Sequence, residues 1–257
     1  MVYLRAAHVE TSIPNLRQFI QENPLGILTT AISSPIYNLI QSSHIPWVID
    51  IRDPSDENEL PRLRGHIARA NPQAKSIIDH INAEPLSPSA GQRLQQEVLV
   101  LFNGPVHHYV TPKFYTKTKP ETGKVVPTWN YSAVQCYGTA TVYIDSQAEE
   151  SSAFLDRQIR DLSQMAETEI MEHDRPWEVD DAPERYIDIM KKNIVGIEIE
   201  VTSIGGKFKM SQELSTEDRQ GVIKGFEALE TDEGSAMARM VSQRGEMSDA
   251  AKARKER

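Results

Sequence analysis

The segment from Val125 to Gly138 constrains this chain most, because it joins a β-strand to a cluster of groups suited to ligand binding. Residues Val134 to Ile144 predict a strand, since Val, Tyr and Thr favour strands and alternate positions share one face. Just before this strand the chain carries aromatic rings, hydroxyls and an amide in Pro127, Thr128, Trp129, Asn130 and Tyr131. Such groups can stack on a flat ligand and hydrogen-bond to its edge. A strand entry with a core Trp and a turn Asn explains the same residues.

Short strands dominate the first part of the chain. Segment 25–32 with a hairpin partner at 36–40, segment 44–51 and the apolar run 97–102 all have strand patterns. A later strand, 194–201, alternates as expected when one face is buried. With helices at the start and in the last third, the pattern predicts an α+β chain built on an antiparallel barrel or a strongly bent sheet.

Helix and turn signals complete the outline. Ser12 and Ser215 stand as N-caps before segments of helical periodicity, and Asp181–Glu184 has the pattern of a capping box that opens a helix. Gly205–Gly206 predicts a turn. The segment Asn82–Gln96, which contains two prolines and a glycine, has the character of a loop.

Composition excludes several classes of function. The 257 residues include 28 Lys and Arg against 37 Asp and Glu, and the net charge of −9 makes direct nucleic-acid binding doubtful, because phosphates require a basic face. The single Cys136 excludes an intramolecular disulfide and a Cys-based zinc site, and we predict no metal site. No segment approaches the roughly 20 apolar residues of a membrane helix, and no signal-peptide pattern is present, so we expect a cytoplasmic protein.

Polar residues adjoin several predicted strands, and each has two interpretations. His44 stands alone on a strand, where a surface or packed histidine is the commoner case. Arg69 and Asn71 follow a strand and precede a helix whose free N–H groups suit a phosphate. A surface Arg and an Asn cap explain this pair equally well.

Two further clusters lie later in the chain. His107 and His108 point to opposite faces of a strand and therefore make a poor metal pair. Lys207 and Lys209 share one face of a short strand, where they either attract a phosphate or guard a solvated edge. Phosphate-loop, dinucleotide-binding and nucleophile-elbow motifs do not occur in the sequence.

The sequence resembles that of a known family, the PaiB-type proteins, which are described as FMN-binding negative transcriptional regulators. The segments that carry the resemblance occur in the same order in that family, and they are Leu25–Gly26, Ser43–Pro46, Gly65–Pro72, Gly104–Pro105, Val126–Tyr131, Val195–Ile199 and Gly206–Gln212. The resemblance extends from Val2 to Ile223, and the motifs around Arg69 and Trp129 are its most specific parts.

The resemblance implies a split β-barrel of the flavin-reductase and pyridoxamine-phosphate-oxidase type with peripheral helices. Residues 1–230 would form this single domain with its helical additions, and residues 231–257 a helical, charged tail. The resemblance also implies a homodimer with ligand sites at the subunit interface, FMN or a similar planar anionic cofactor as the ligand, and a role in the negative regulation of transcription.

The resemblance also assigns site residues. The cofactor-binding set is Arg69, Asn71, Thr128, Trp129, Asn130, Tyr131, Lys207 and Gln212. In this set the two cations hold the phosphate with Asn71 and Thr128, the two rings line the flavin, and Asn130 and Gln212 hydrogen-bond to its edge. His44 and His66 are the candidates for catalytic groups.

Three classes of function stay open at this point. The first is a flavin-binding protein of the PaiB type. The second is a regulator without catalysis that acts through a partner protein, because an acidic chain with no helix-turn-helix pattern is poorly suited to direct DNA contact. The third is a flavin-dependent oxidoreductase or another small-molecule enzyme, in which His44 or His66 handles protons. Haem bound at a histidine is an alternative to FMN.

Overall fold

The structure, a computed structural model, describes residues 4–83 and 91–255. The chain divides into two compact units, each described separately below. The first comprises Met1–Thr11, Asn103–Val134 and Gly205–Arg257, and the second comprises Ser12–Phe102 and Gln135–Ile204. The boundary at residue 230 stays a prediction.

All of the registered strand pairs are antiparallel. The strands are β1 (Val9–Glu10), β2 (Leu25–Ala31), β3 (Ile40–Pro46), β4 (Val48–Asp50), β5 (Arg62–Ala68), β6 (Gly91–Asn103), β7 (His108–Val110), β8 (Thr128–Tyr143) and β9 (Ile194–Lys209). Their order is β3-β2-β6-β8-β9-β5-β4, with β1 beside β9 and β7 beside β8. Strands β8 and β9 contribute residues to both units.

Seven helices accompany these strands in the part of the chain that the structure describes. They are α1 (Ile13–Glu22), α2 (Pro72–Ala83), α3 (Thr118–Thr122), α4 (Glu149–Met165), α5 (Glu184–Lys191), α6 (Thr216–Glu227) and α7 (Asp232–Lys255). The side chains of Ser12 and Ser215 accept hydrogen bonds from the backbone N–H groups of Asn15 and Asp218, which confirms both predicted caps. Within residues 4–83 and 91–255, none of the helices is long and apolar enough to cross a membrane.

A single extended segment of the second unit supplies both ends of the strand order. Its first half, β3, pairs with β2, and its second half, β4, pairs with β5. Only Trp47 separates the two halves, and its side chain is 1% exposed. Because this one segment forms the strands at both edges of the sheet, the sheet curls into a barrel that stays split between β3 and β4. The predicted α+β class, an antiparallel split β-barrel with peripheral helices, is confirmed.

Glycines on two strands make room for Trp47. A Cβ atom at Gly26 would lie 2.9 Å from Trp47 Cδ1 and 2.7 Å from side-chain atoms of Val100 and Phe102. A Cβ atom at Gly65 would lie 3.0 Å from Trp47 Cε3. The indole of Trp47 therefore fits because Gly26 on β2 and Gly65 on β5 carry no side chain.

In the first unit, α6 and α7 cover one face of the strands. The buried core here includes Val110, Met210, Val222, Phe226, Met237 and Val241. Arg244 of α7 lies over the Phe208 ring at 3.7 Å and forms an ion pair of 2.9 Å with Glu10. The predicted charged tail is a helix to Lys255, and its first part buries Met237, Ala238 and Val241.

Two predicted elements, a strand and a turn, differ from the structure. The strand expected at 36–40 is wrong: the Ser34 hydroxyl accepts hydrogen bonds from the N–H groups of Ile36 and Tyr37, and β3 begins only at Ile40. The expected turn at Gly205–Gly206 is also wrong. Strand β9 continues through these glycines, because β1 pairs with it at Lys207 and Gly206.

Two other predicted element boundaries lie at different residues in the structure. The capping box forms between Glu178 and Asp181 rather than at Asp181–Glu184, and α5 begins at Glu184. Strand β6 begins at Gly91, inside the segment 82–96 that was predicted to be a loop; residues 84–90 of this segment lie outside the described residues.

We expect the substitution Gly26→Ala to lower the free energy of unfolding by about 1–3 kcal/mol, because its Cβ would overlap the packed side chains of Val100 and Phe102. Urea unfolding followed by tryptophan fluorescence measures this change. The matched control is Gly205→Ala, whose Cβ would meet only Leu4 Cδ1, at 3.3 Å. An equal loss of stability in both variants would contradict the role given to Gly26.

Candidate functional site

Strand β8 sorts the aromatic segment onto two faces. Side chains alternate along a strand, so Trp129 and Tyr131 point to one side, and Asn130 points to the side that α6 and α7 cover. Trp129 is 49% exposed, whereas Asn130 is fully buried. We call the side of β7, β8 and β9 that carries Trp129 and Tyr131 the outer face of the first unit.

Two other aromatic groups hold Trp129 in place on this face. The ring centroids of His107 and Trp129 are 6.1 Å apart, and Tyr109 stands edge-on to Trp129 at 6.2 Å. The indole N–H of Trp129 donates a hydrogen bond of 3.4 Å to Nδ1 of His107. Since the indole can only donate, Nδ1 accepts, and a neutral His107 carries its proton on Nε2. The result is an exposed indole in a fixed position.

The sequence did not identify His107 or Tyr109 as site residues. Their placement follows from the register of β7 and β8, in which Tyr109 pairs with Trp129 and His108 with Asn130. His107 and Tyr109 share one face by alternation, which the sequence shows, but the pairing with β8 is a long-range fact that it does not show. With that register known, the alternation would have placed His107 and Tyr109 on the same face as Trp129.

Positive charge from β9 borders the aromatic residues. The ammonium group of Lys207 lies 5.6 Å from the centroid of the Tyr131 ring. The ammonium group of Lys209 donates to the Trp129 carbonyl at 2.8 Å and to the hydroxyl of Thr128. Burial lowers the pKa of Lys209, and the nearby Lys207 lowers it further. Lys209, which the sequence placed beside Lys207 but did not assign to the site, therefore positions the start of β8.

The predicted amide groups have internal partners in the structure. Asn130 and Ser211 exchange side-chain hydrogen bonds of 3.0 and 3.1 Å. The Gln212 side chain accepts from the N–H of Met210 at 2.7 Å and donates to the carbonyl of Phe208. These bonds hold Ser211 at a positive φ of 60° just after β9. The contact of Asn130 and Gln212 with a ligand edge stays a prediction.

A cleft of about 590 Å³ opens on the first unit. It is lined by Asn103, Gly104, Pro105, His107, Trp129, Tyr131 and Ser132. Its walls combine an exposed indole, a phenol ring and an imidazole, and Lys207 stands next to the phenol. This is the chemistry that a planar ring with an attached anion requires.

The other predicted residues belong to the second unit. The Arg69 guanidinium donates to the main-chain carbonyls of Lys192, Ile144 and Ile194 through Nε and Nη2. Asn71 accepts a hydrogen bond of 2.8 Å from the N–H of Gln73 at the start of α2, as expected of a helix cap. Its amide also donates to the hydroxyl of Ser43 at 3.0 Å. Arg69 and Asn71 thus both fix the local backbone here.

The two candidate histidines differ in their surroundings. His44 lies exposed on β3. His66 lies on β5, and its Nδ1 is buried with no hydrogen-bond partner among the described residues. Burial lowers the pKa of His66, so its imidazole is neutral at pH 7. Cys136 is fully buried, and burial raises the pKa of its thiol, as is typical of a structural cysteine.

The low pKa of His66 predicts a pH-dependent stability. The unfolded chain binds a proton at about pH 6.5, but the folded chain binds it only at lower pH. The stabilisation is therefore complete above the unfolded pKa and is lost as the pH falls below it, by at most about 1.4 kcal/mol per pH unit.

We expect His66→Gln to make the free energy of unfolding less dependent on pH between neutral and acidic buffers. Denaturant titrations at several pH values provide the measurement. The control is His44→Gln, at an exposed position, which should leave the slope unchanged. An unchanged slope in His66→Gln would show that another group is responsible.

Known proteins resemble this chain over most of its length. A family model described as "Putative FMN-binding domain" matches residues 2–203. An uncharacterized protein of Aspergillus fumigatus is 58% identical over 259 residues, covering 96% of this chain and 99% of the relative. "Protease synthase and sporulation protein PAI 2" of Bacillus subtilis is 27% identical over 233 residues, covering 90% of this chain and 92% of the relative.

Among solved structures, the conserved hypothetical protein Rv2991 of Mycobacterium tuberculosis is similar at a TM-score of 0.46 and 14% identity, covering 83% of this chain and 94% of that chain. The FMN-binding family model spans β1 to β8 and most of β9. The chain belongs to the PaiB-type family of FMN-binding domain proteins.

Proposed function

We propose that this protein binds FMN, or a similar planar anionic cofactor, on the outer face of its first unit. The observation that carries the proposal is the indole of Trp129, which is 49% exposed although His107 and Tyr109 hold it in place. An exposed aromatic ring in a fixed position is a stacking surface that loses little conformational entropy when a ligand binds.

Positive charge beside Trp129 suits the phosphate of such a cofactor. We assign Lys207 to the phosphate, with Thr128 assisting, because charge-assisted hydrogen bonds from a cation are the strongest contacts that a phosphate can make. The roles of Arg69 and Asn71, which belong to the second unit, stay predictions.

The residues of the outer face therefore fit a flavin in chemistry. Trp129 and Tyr131 line the ring, Lys209 fixes the backbone beneath them, and the Nε2–H of His107 can donate to the edge of the ring. Bound FMN supplies hydride and one-electron transfer chemistry.

A flavin-dependent oxidoreductase is the second candidate function. The observation that favours it is His107, an exposed imidazole in the cleft and in contact with Trp129. An imidazole in this position could donate a hydrogen bond to a substrate in the cleft or accept one from it. His44 and His66, the two histidines that the sequence suggested, belong to the second unit.

Regulation of transcription, implied by the PaiB-type resemblance, is a further part of the proposal. The net charge of −9 makes a partner protein a more favourable route than direct contact with DNA, whose phosphates would repel an acidic surface.

Two substitutions should separate recognition of the ring from recognition of the phosphate. We expect Trp129→Ala to weaken the binding of both FMN and riboflavin by about tenfold or more, because stacking on an aromatic side chain contributes roughly 1–3 kcal/mol. Lys207→Glu should weaken the binding of FMN by a similar factor and leave riboflavin, which has no phosphate, unaffected. Quenching of flavin fluorescence measures the affinities of wild type and of both variants for FMN and for riboflavin.

Lys113→Glu is the control for the change of charge, because Lys113 is an exposed lysine of the same unit that does not line the cleft. It should bind FMN as tightly as wild type. Equal affinities for FMN in wild type, Trp129→Ala and Lys207→Glu would rule out the outer face as the flavin site.

We also propose that the protein is a homodimer, with its ligand site at the subunit interface. Support comes from a cluster of exposed apolar side chains in the β2–β3 connection and at the start of β3, where Ile36, Leu39 and Ile40 are 75%, 57% and 66% exposed. Such clusters on a protein surface commonly mark interfaces.

Sedimentation velocity should find wild type as a dimer and the double variant Ile36→Ser, Leu39→Ser shifted toward the monomer, since the variant removes apolar area from the contact. Leu229→Ser, at another exposed apolar position, should stay dimeric. A monomeric wild type would contradict the proposal.

A further inference from the structure

A second cleft, of about 420 Å³, lies in the second unit between α4 and the loop that joins β4 to β5. Four arginines from the loop, from β5 and from α4 line it, namely Arg52, Arg62, Arg64 and Arg157. The chain as a whole carries a net charge of −9, so four guanidinium groups around one cleft are a local exception. Guanidinium groups gathered in this way attract anions.

The carboxylates that line the same cleft already have partners within the protein. Asp50 accepts hydrogen bonds of 2.6 and 2.8 Å from the Arg64 guanidinium, and Asp161 accepts one of 2.7 Å from the same group. The two carboxylate oxygens of Glu59 accept from main-chain N–H groups of the loop, at 2.8 and 2.7 Å. These three carboxylates therefore hold the walls of the cleft together.

The arginines keep donors that the protein does not use. The side chains of Arg52 and Arg157 are exposed and form no hydrogen bond or ion pair within residues 4–83 and 91–255. Arg62 has one contact, of 3.4 Å, with Glu198, which does not line the cleft. Arg64 is 3% exposed, and its Nη1 has no hydrogen-bond partner among the described residues. A planar guanidinium presents its N–H groups as a fork that matches a carboxylate or a phosphate.

The loop that forms one wall of the cleft is held in place by its own contacts. Arg17 of α1 is 4% exposed and donates to the carbonyl of Asp56 at 3.0 Å. Side-chain oxygens of Asp53 and Asp56 accept from the N–H groups of Ser55 and Asn58, at 2.9 and 2.8 Å. Such local hydrogen bonds fix a turn, so this wall loses little conformational entropy when a ligand binds.

The rest of the lining indicates the size and character of a ligand. Ile51, Leu60 and Pro61 add apolar surface to the cleft. Its volume lies within the range of about 300–1,000 Å³ that is typical of small-molecule sites and exceeds what a single inorganic ion needs. The cleft therefore suits a molecule that has both an anionic group and an apolar body.

We propose that this cleft binds a small organic anion, in which a carboxylate or a phosphate is attached to an apolar body. Arg52 and Arg157 hold the anionic group through charge-assisted hydrogen bonds, and Arg62 assists them. The apolar body lies against Leu60 and Pro61. This site belongs to the second unit and does not depend on whether the first unit binds a flavin.

The test is isothermal titration calorimetry of the full-length protein at low salt with three probes, phenyl phosphate, phenylacetate and benzyl alcohol. Wild type should bind at least one of the two anions and should not bind benzyl alcohol, which has a similar apolar body and no charge. The anion that binds more tightly identifies the group that the cleft accepts. The double variant Arg52→Gln, Arg157→Gln should bind this anion at least about tenfold more weakly, because two charge-assisted contacts are lost.

The matched control is the double variant Arg93→Gln, Arg185→Gln, which removes the same charge from two exposed positions of the second unit outside the cleft. It should bind the anion as tightly as wild type. Circular dichroism of both double variants should match that of wild type, since all four side chains are exposed. Failure of wild type to bind either anion, equal affinities of the two double variants, or equal binding of benzyl alcohol would overturn the proposal.

Discussion

The packing of Trp47 against two glycines is the contact on which the barrel depends. Trp47 is the only residue between β3 and β4, and these two halves of one segment reach the opposite ends of the strand order. The indole is almost completely buried, at 1% exposure, where Gly26 of β2 and Gly65 of β5 have no side chains. A large side chain at the bend and small residues facing it let the sheet curl without forming a void.

The candidate site depends on a different constraint, the alternation of side chains along β8. The residues that face α6 and α7 are tied internally, as the buried pair Asn130–Ser211 shows. Trp129 and Tyr131 are left on the outer face, where His107 and Lys207 contact them. One strand thus anchors a core and presents a stacking surface at the same time. Because Asn130 and Lys209 hold the backbone on either side of Trp129, the position of the indole is fixed before any ligand arrives.

The features that could be predicted from the sequence are those set by local chemistry. The serine caps of α1 and α6, the strand at 134–144 and the aromatic cluster before it all follow from neighbouring residues. The features that could not be predicted depend on contacts between residues far apart in the sequence. Strand β9 continues through two glycines because β1, almost two hundred residues earlier in the chain, pairs with it. His107 joins Trp129 only through the register of β7 with β8. Lys191 at the end of α5 is buried because it donates to Asp156 of α4, a contact that helical periodicity cannot predict.

We propose the aromatic, cationic outer face of the first unit as a flavin site. The most direct measurement is the visible absorption spectrum of the purified protein, recorded again after FMN is added and the sample is desalted. We expect wild type to retain a flavin band and Trp129→Ala to lose it. A wild-type protein that stays colourless after both steps would contradict the flavin site, and a Soret band would instead assign the pocket to haem.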